Sequence, residues 1–359
     1  MTTTDPADLT GAADLTGAAG AGPVPRGERV GRNLSRALRA LLDRDPSVYL
    51  LGEDIADPYG GAFGITRGLS AAHPARVLAT PISEGGIVGA GAGLALAGDT
   101  AVVEIMLGDF LGLAFDQLVN FASKSVSMYG RTVPIRLVVR TPTGGNRGYG
   151  PTHSQSLQKH FIGVPDLALF EMSPFHDNAA VFAAMLDLAR PCLLFEDKVL
   201  YGRRMFGAGR VDDLFRFELA GAAPGTARVF LDDVRPDVVL VAPGGTAPRV
   251  IEAMRTLLLR DDVATELFVP SRLYPFDAVP VRPAVRAAGR VCVVEESVAG
   301  GTWGAEVAQE IHRTGWADLR RPVLSVHSAA SVVPAAPHLE RAVLVGAEQI
   351  RRAVLAALA

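Results

Sequence analysis

Three residues in the first half of the chain carry side chains suited to chemistry: Glu84, His153 and Phe110. Glu84 stands in Thr80-Pro-Ile-Ser-Glu84, with Ile82, Ile87 and Val88 close by. A carboxyl packed among these apolar side chains has its charged form disfavoured by desolvation, so it can hold or donate a proton near neutral pH. The same residues also read as a plain helix start, with Ser83 as the cap and Glu84 against the positive end of the helix. His153, in Gly150-Pro-Thr-His-Ser-Gln155, follows a glycine-rich stretch, where an imidazole can handle protons or simply bond at the surface. Phe110, in Leu107-Gly-Asp-Phe-Leu111, reads as a core residue at a strand-to-helix junction. There Asp109 would cap a helix that turns Phe115, Leu118, Val119 and Ala122 inward.

The elements that must position these residues follow from periodicity. Leu34, Ala37, Leu38, Leu41 and Leu42 recur at helical spacing, and Val48-Tyr-Leu-Leu51 is a short buried strand. A strand near Val77-Leu78, a helix from Ser83 to Gly98, a strand Ala101–Ile105, a helix from Leu111 to Ser127 and a strand Ile135–Val139 continue the alternation. Alternation of this kind predicts a mainly parallel sheet covered on both faces. The glycine-rich segment Thr141 to Gly150 breaks it, and long loops inside a domain are commonly functional. After a strand Cys192–Glu196, the irregular stretch Tyr201 to Pro224 reads as a linker, and a second alternation runs from Val238 to Leu358. The expected fold class is therefore α/β, two three-layer domains with mainly parallel sheets. A flexible tail is expected over 1–26, a first domain over 27–203, a linker over 204–226 and a second domain over 227–359.

Composition removes several classes of function. Thirty-five Lys and Arg stand against 38 Asp and Glu, a net charge of −3, which provides no field to gather nucleic acid or an anionic membrane surface. The longest apolar stretch, Gly85 to Gly98, is short of the roughly 20 residues that span a bilayer. No basic start followed by an apolar run marks an export signal, and the cytoplasm is the expected location. The two cysteines, Cys192 and Cys292, lie in strand-like apolar runs and read as small buried hydrophobes. Gly89-Ala-Gly-Ala-Gly93 does not complete a dinucleotide fingerprint, no phosphate-binding Gly-x-x-x-x-Gly-Lys loop occurs, and His160 and His176 lack metal-ligand spacing. Gly85, Gly89 and Gly93, four residues apart, leave one side of their helix almost bare, so that another backbone can approach.

Taken together, Leu51-Gly-Glu-Asp54, Thr80-Pro-Ile-Ser-Glu84, Asp109-Phe110, Phe115-Asp-Gln-Leu-Val-Asn120, Arg140-Thr-Pro142 and His153-Ser-Gln-Ser156 resemble the β subunit of the decarboxylase component of 2-oxo acid dehydrogenase complexes. Gly289-Arg-Val-Cys-Val-Val-Glu-Glu296 and Gly300-Gly-Thr-Trp-Gly-Ala-Glu306 extend the resemblance into a C-terminal domain of transketolase type. It covers everything but the tail.

The resemblance implies thiamine diphosphate as cofactor, with a pyrimidine-binding domain first. It places Glu84 on the N1′ nitrogen of the aminopyrimidine, Ile82 and Phe110 against that ring, and His153 at the active-site entrance, assisting the substrate or the acyl acceptor. The Gly-Asp-Gly and Asn motif that holds the diphosphate through Mg²⁺ is not completed by Gly98-Asp-Thr or Gly108-Asp-Phe. Mg²⁺ and the diphosphate are therefore expected on an α-type partner in an α₂β₂ assembly that also pairs two β copies. The product acyl group would pass to a lipoyl-bearing transacylase. Some relatives also bind K⁺ through backbone carbonyls, which here would fall near Met185, Leu186, Leu188 and Arg190. Two other functions stay open: a split transketolase-like enzyme moving a two-carbon ketol unit to an aldehyde or a carrier-protein thiol, and a non-catalytic scaffold subunit.

Overall fold

Val30, Leu34, Ala37, Leu38 and Leu42 lie on one stripe of the first helix and are all at most 3% exposed, which is why this segment folds as a covering layer. The structure is a computed structural model and describes residues 27–358. The expected tail, 1–26, lies outside the described residues. The first half comprises α1 (Val30–Arg44), β1 (Val48–Glu53), α2 (Leu69–Ala72), β2 (Val77–Thr80), α3 (Glu84–Ala97), β3 (Thr100–Glu104), α4 (Ser123–Ser125), β4 (Leu137–Thr143), β5 (Ala168–Glu171), α5 (Asn178–Asp187) and β6 (Cys192–Asp197). The second comprises β7 (Arg216–Ala220), β8 (Thr226–Phe230), β9 (Val238–Val241), α6 (Ala247–Asp261), β10 (Thr265–Pro270), β11 (Arg272–Tyr274), α7 (Arg282–Ala288), β12 (Val291–Val298), α8 (Trp303–Gly315), β13 (Leu324–Ser328), α9 (Pro337–Val343) and α10 (Ala347–Leu358).

The first sheet runs β11-β5-β6-β4-β3-β1-β2 and is parallel except for its edge strand β11. Its central strands β3, β4 and β6 are buried at every residue, as a sheet covered on both faces requires. Helices α1 and α5 cover one face through Leu34, Leu38, Phe182 and Met185. Helix α3 and the segment after β3 cover the other. The second sheet runs β13-β12-β9-β10-β8-β7, parallel from β13 to β10 and antiparallel beyond. Both sheets fit the expected class of two mainly parallel three-layer α/β units. One buried cluster joins the halves, reaching from Val103, Leu137 and Phe195 to Phe268, Val293 and Trp303.

Several local expectations need correction. The segment after β3 is not one helix: residues 108–114 form a 3₁₀ turn, 117–122 a π segment, and regular α-helix is limited to 115–116 and 123–125. The break rotates the apolar face, so Phe115 is 40% exposed while Leu118 and Ala122 are sealed. Ser83 makes no side-chain cap on α3, and Asp109 caps nothing, because its carboxylate accepts from Gln155 instead. Strand β7 lies inside the expected linker and pairs with β8. The bare side of α3 is partly filled within the chain. A Cβ added at Gly85 would stand 3.2 Å from the Leu113 carbonyl, and one at Gly89 would stand 3.1 Å from Gln117 Oε1, whereas Gly93 faces open space.

Candidate active site

In a parallel sheet the loops after the C-terminal ends of the strands share one edge, and ligands bind there, at the point where the strand order reverses. Here the order reverses between β1 and β3, with β2 on the far side of β1. Glu53 ends β1, Glu84 follows β2, Phe110 follows β3, His153 follows β4 and Lys198 follows β6, so all five gather on that edge.

Glu84 opens α3 and is 7% exposed, yet its carboxylate accepts no hydrogen bond from the described residues. Buried carboxylates are normally satisfied, so this one is left for a group from outside the chain. Beside it, Glu53 is 6% exposed and its Oε1 has no hydrogen-bond partner. Burial raises the Glu53 carboxyl above its usual range, and the charges of Glu84 and Asp54 add to that. Ile82 does not pack on Glu84 as expected: it is 81% exposed and stands out from the edge. Gly85, next to Glu84, meets the carbonyl of Leu113, which joins the start of α3 to the turn that carries Phe110.

Phe110 and His153, 43 positions apart, meet edge to face with ring centroids 5.3 Å apart and an interplanar angle of 81°. Both are half-buried. The His153 Nδ1 pairs with Thr152 Oγ1 at 2.8 Å, and the buried Lys198 Nζ donates to the His153 carbonyl at 2.9 Å. Beneath the edge lies an ion network that periodicity does not reveal. Arg140 of β4 is wholly buried and donates through Nε and Nη2 to both oxygens of Glu196, each at 2.7 Å, and through Nη1 to Glu104. Glu104 Oε1 also accepts from the Ala62 N–H at 2.6 Å, and Tyr201 donates to Glu196 at 2.6 Å.

A second set of acids lines the seam between the two halves. Glu171 accepts from the Gly245 N–H and from Gln158 Nε2, both at 2.8 Å. Burial pushes its carboxyl up to about 8 from an ordinary 4.5, and the charges of Asp197 and Glu296 add to the shift. The native state thus holds a proton that the unfolded chain releases, so this group subtracts stability progressively as pH rises from 4.5 to about 8. Glu171→Gln is expected to remove that slope. Thermal midpoints measured from pH 5 to 8.5 should show the variant gaining on the wild type as pH rises, and parallel curves would contradict the assignment.

At the segment expected for K⁺, the Met185 and Arg190 carbonyls accept from the Cys192 thiol and the Leu186 carbonyl from Ala189 N–H, contacts that close α5. Cys192 and Cys292 are free and buried, and burial pushes each thiol up to about 12, as small buried hydrophobes would be. No described helix is long and apolar enough to cross a membrane.

The two α/β units match the two domains of transketolase-type proteins. The pattern of a transketolase pyrimidine binding domain matches residues 30–203, and that of a transketolase C-terminal domain matches 227–350. The β subunit of an acetoin:2,6-dichlorophenolindophenol oxidoreductase from Cupriavidus necator is 31% identical, over 89% of this chain and 94% of its own. Subunit beta-1 of the mitochondrial pyruvate dehydrogenase E1 component from Oryza sativa subsp. japonica is 30% identical, over 89% and 84%. Among solved structures, a split-gene transketolase in an inactive β₄ tetramer superposes with a TM-score of 0.70 at 21% identity, covering 92% of this chain and 99% of that one. The chain belongs to the transketolase-like family of two-domain β subunits that includes these E1 and acetoin oxidoreductase chains.

Proposed function

We propose that this chain is the β-type subunit of a heteromeric thiamine-diphosphate enzyme that decarboxylates a 2-oxo acid and passes the acyl group to a lipoyl acceptor. The observation that carries the reading is Glu84, a nearly buried carboxylate on the C-terminal edge of the sheet that takes no hydrogen bond from the described residues. The similarity to β subunits of pyruvate dehydrogenase E1 and acetoin oxidoreductases supports it.

The residues fit the cofactor's pyrimidine end. When bound, thiamine diphosphate would supply an acidic ring carbon as nucleophile and a cationic ring as the electron sink for decarboxylation. Glu84 holds the proton at N1′ of the pyrimidine, the step by which this chain switches that carbon on. Phe110 presents a half-buried ring for the pyrimidine to pack on, and Ile82 adds an exposed apolar side chain two residues before Glu84. His153, against Phe110, handles a proton on the substrate or acyl acceptor at the entrance.

The Gly-Asp-Gly and Asn motif is incomplete in this chain, so we assign Mg²⁺ and the diphosphate to an α-type partner, in an assembly that also pairs two β copies. Ile82, Leu113 and Phe115 form exposed apolar surface around the start of α3 for a second chain to cover.

Co-expression with an α-type chain and assay of CO₂ release from a panel of 2-oxo acids tests the reading. Decarboxylation followed by acyl transfer to lipoamide is expected. Transfer of a ketol unit without CO₂ would replace it with a split transketolase, and no turnover of either kind would leave a scaffold.

A further inference from the structure

We infer that the C-terminal half of the chain helps set the position of His153, with Glu296 and Glu340 of that half and Lys198 of the first half as positioning residues. The inference rests on His153 serving the acyl-transfer step proposed above. Between Thr143 and His153 the backbone bends through four left-handed positions, Gly144 (φ +83°), Asn146 (+64°), Gly148 (+69°) and Gly150 (+78°). A path of this kind cannot satisfy its own N–H groups, and among the described residues its internal backbone bonds outside strands and helices are Gly144 N–H to the Gln155 carbonyl at 3.2 Å and His153 N–H to the Gly150 carbonyl at 3.4 Å.

The missing acceptors come from two carboxylates almost 200 positions away at most, both buried. Glu296 on β12 accepts from Gly145 N–H at 2.7 Å and from Asn146 Nδ2 at 3.2 Å, and is itself held by Arg249 at 2.6 Å. Glu340 on α9 accepts from Arg147 N–H at 3.3 Å and Gly148 N–H at 3.1 Å. Gly145 lies so close to the end of α9 that a Cβ there would stand 2.4 Å from Leu344. Bonds from N–H groups to ionised carboxylates are roughly twice as strong as neutral ones, so these acids act as clamps rather than incidental neighbours.

The far side of the loop is fixed as firmly. Lys198 is fully buried, and its Nζ donates to the carbonyl of His153 itself. Two residues on, Gln155 donates through Nε2 to Asp109 Oδ1 at 2.7 Å, beside Phe110. His153 is thus pinned by its own carbonyl and by the turn after it, while the glycine path before it hangs from the C-terminal half. The imidazole's place against Phe110 is therefore a joint product of both halves of the chain.

Two measurements on Glu340→Ala, Glu340→Gln and Lys198→Met test this. In the full chain alone, hydrogen exchange at Arg147 and Gly148 should quicken about tenfold or more in Glu340→Ala, the loss expected for hydrogen bonds to a charged acceptor, with Glu340→Gln intermediate. In the assembled enzyme, the ratio of acyl transfer to lipoamide over oxidation by 2,6-dichlorophenolindophenol should fall in Glu340→Ala and Lys198→Met. A displacement of about 1 Å costs on the order of 10²-fold. Unchanged exchange, or an equal fall in both rates, would overturn the inference. His153→Ala separates the two claims: if it leaves the ratio unaltered, the acyl-transfer role of His153 fails, and the exchange data still decide whether the C-terminal half holds the loop.

Discussion

Glu84→Gln should leave the chain folded and able to assemble, yet lower turnover by on the order of 10²- to 10⁴-fold, the contribution typical of a single positioned acid or base. The amide keeps the size of the carboxyl at the start of α3, where the described residues make no hydrogen bond to it, so none of their hydrogen bonds is lost. What the proposed role would lose is the ability to hold a proton at N1′ of the pyrimidine. Exchange of the cofactor's thiazolium C2 proton for deuterium, followed by quenched-flow NMR, isolates that step from decarboxylation and release. Exchange as fast as in the wild type would remove Glu84 from the role assigned to it.

Arg140→Leu should be among the most damaging substitutions available in the first domain. It takes one cation from between Glu104 and Glu196, both fully buried, and leaves two carboxylates in a low-dielectric core with, among the described residues, only Ala62 N–H and the Tyr201 hydroxyl as hydrogen-bond partners. Removing one member of a buried ion pair costs about 3–5 kcal/mol, because the charge left behind is uncompensated. The urea midpoint of the first domain should fall accordingly. The deficit should shrink as pH drops and the stranded acids take up protons. A midpoint within error of the wild type at pH 8 would show that the network contributes little.

Much of this was legible in local pattern. The stripe Leu34, Ala37, Leu38 and Leu42 marks α1 because each residue faces the sheet, and Ala101–Ile105 reads as a strand because every side chain is buried. The candidates Glu84, Phe110 and His153 were each ambiguous alone. Resemblance singled them out, and the structure then placed Phe110 against His153 and all three on the same sheet edge.

The remainder depended on contacts far apart in the chain. Strand β7 hides in a charged stretch because most of its residues are exposed at the sheet's edge. The three residues of β11 become a strand only by pairing with β5 of the other half. Ser83 and Asp109 have the right chemistry for caps, but Asp109 is claimed by Gln155, 46 positions away. Phe115 fits an inward helical stripe until the π segment turns that face outward. Lys198 and Glu340 gave no local signal, since what marks them is the loop they hold.

The central claim is that this chain contributes half of a cofactor site, and calorimetric titration with thiamine diphosphate and Mg²⁺ tests it most directly, on the chain alone and on the chain co-purified with its α-type partner. The account predicts saturable binding only in the mixture, lost again when Glu84→Gln and Phe110→Ala are combined. Equally tight binding by this chain alone would contradict it.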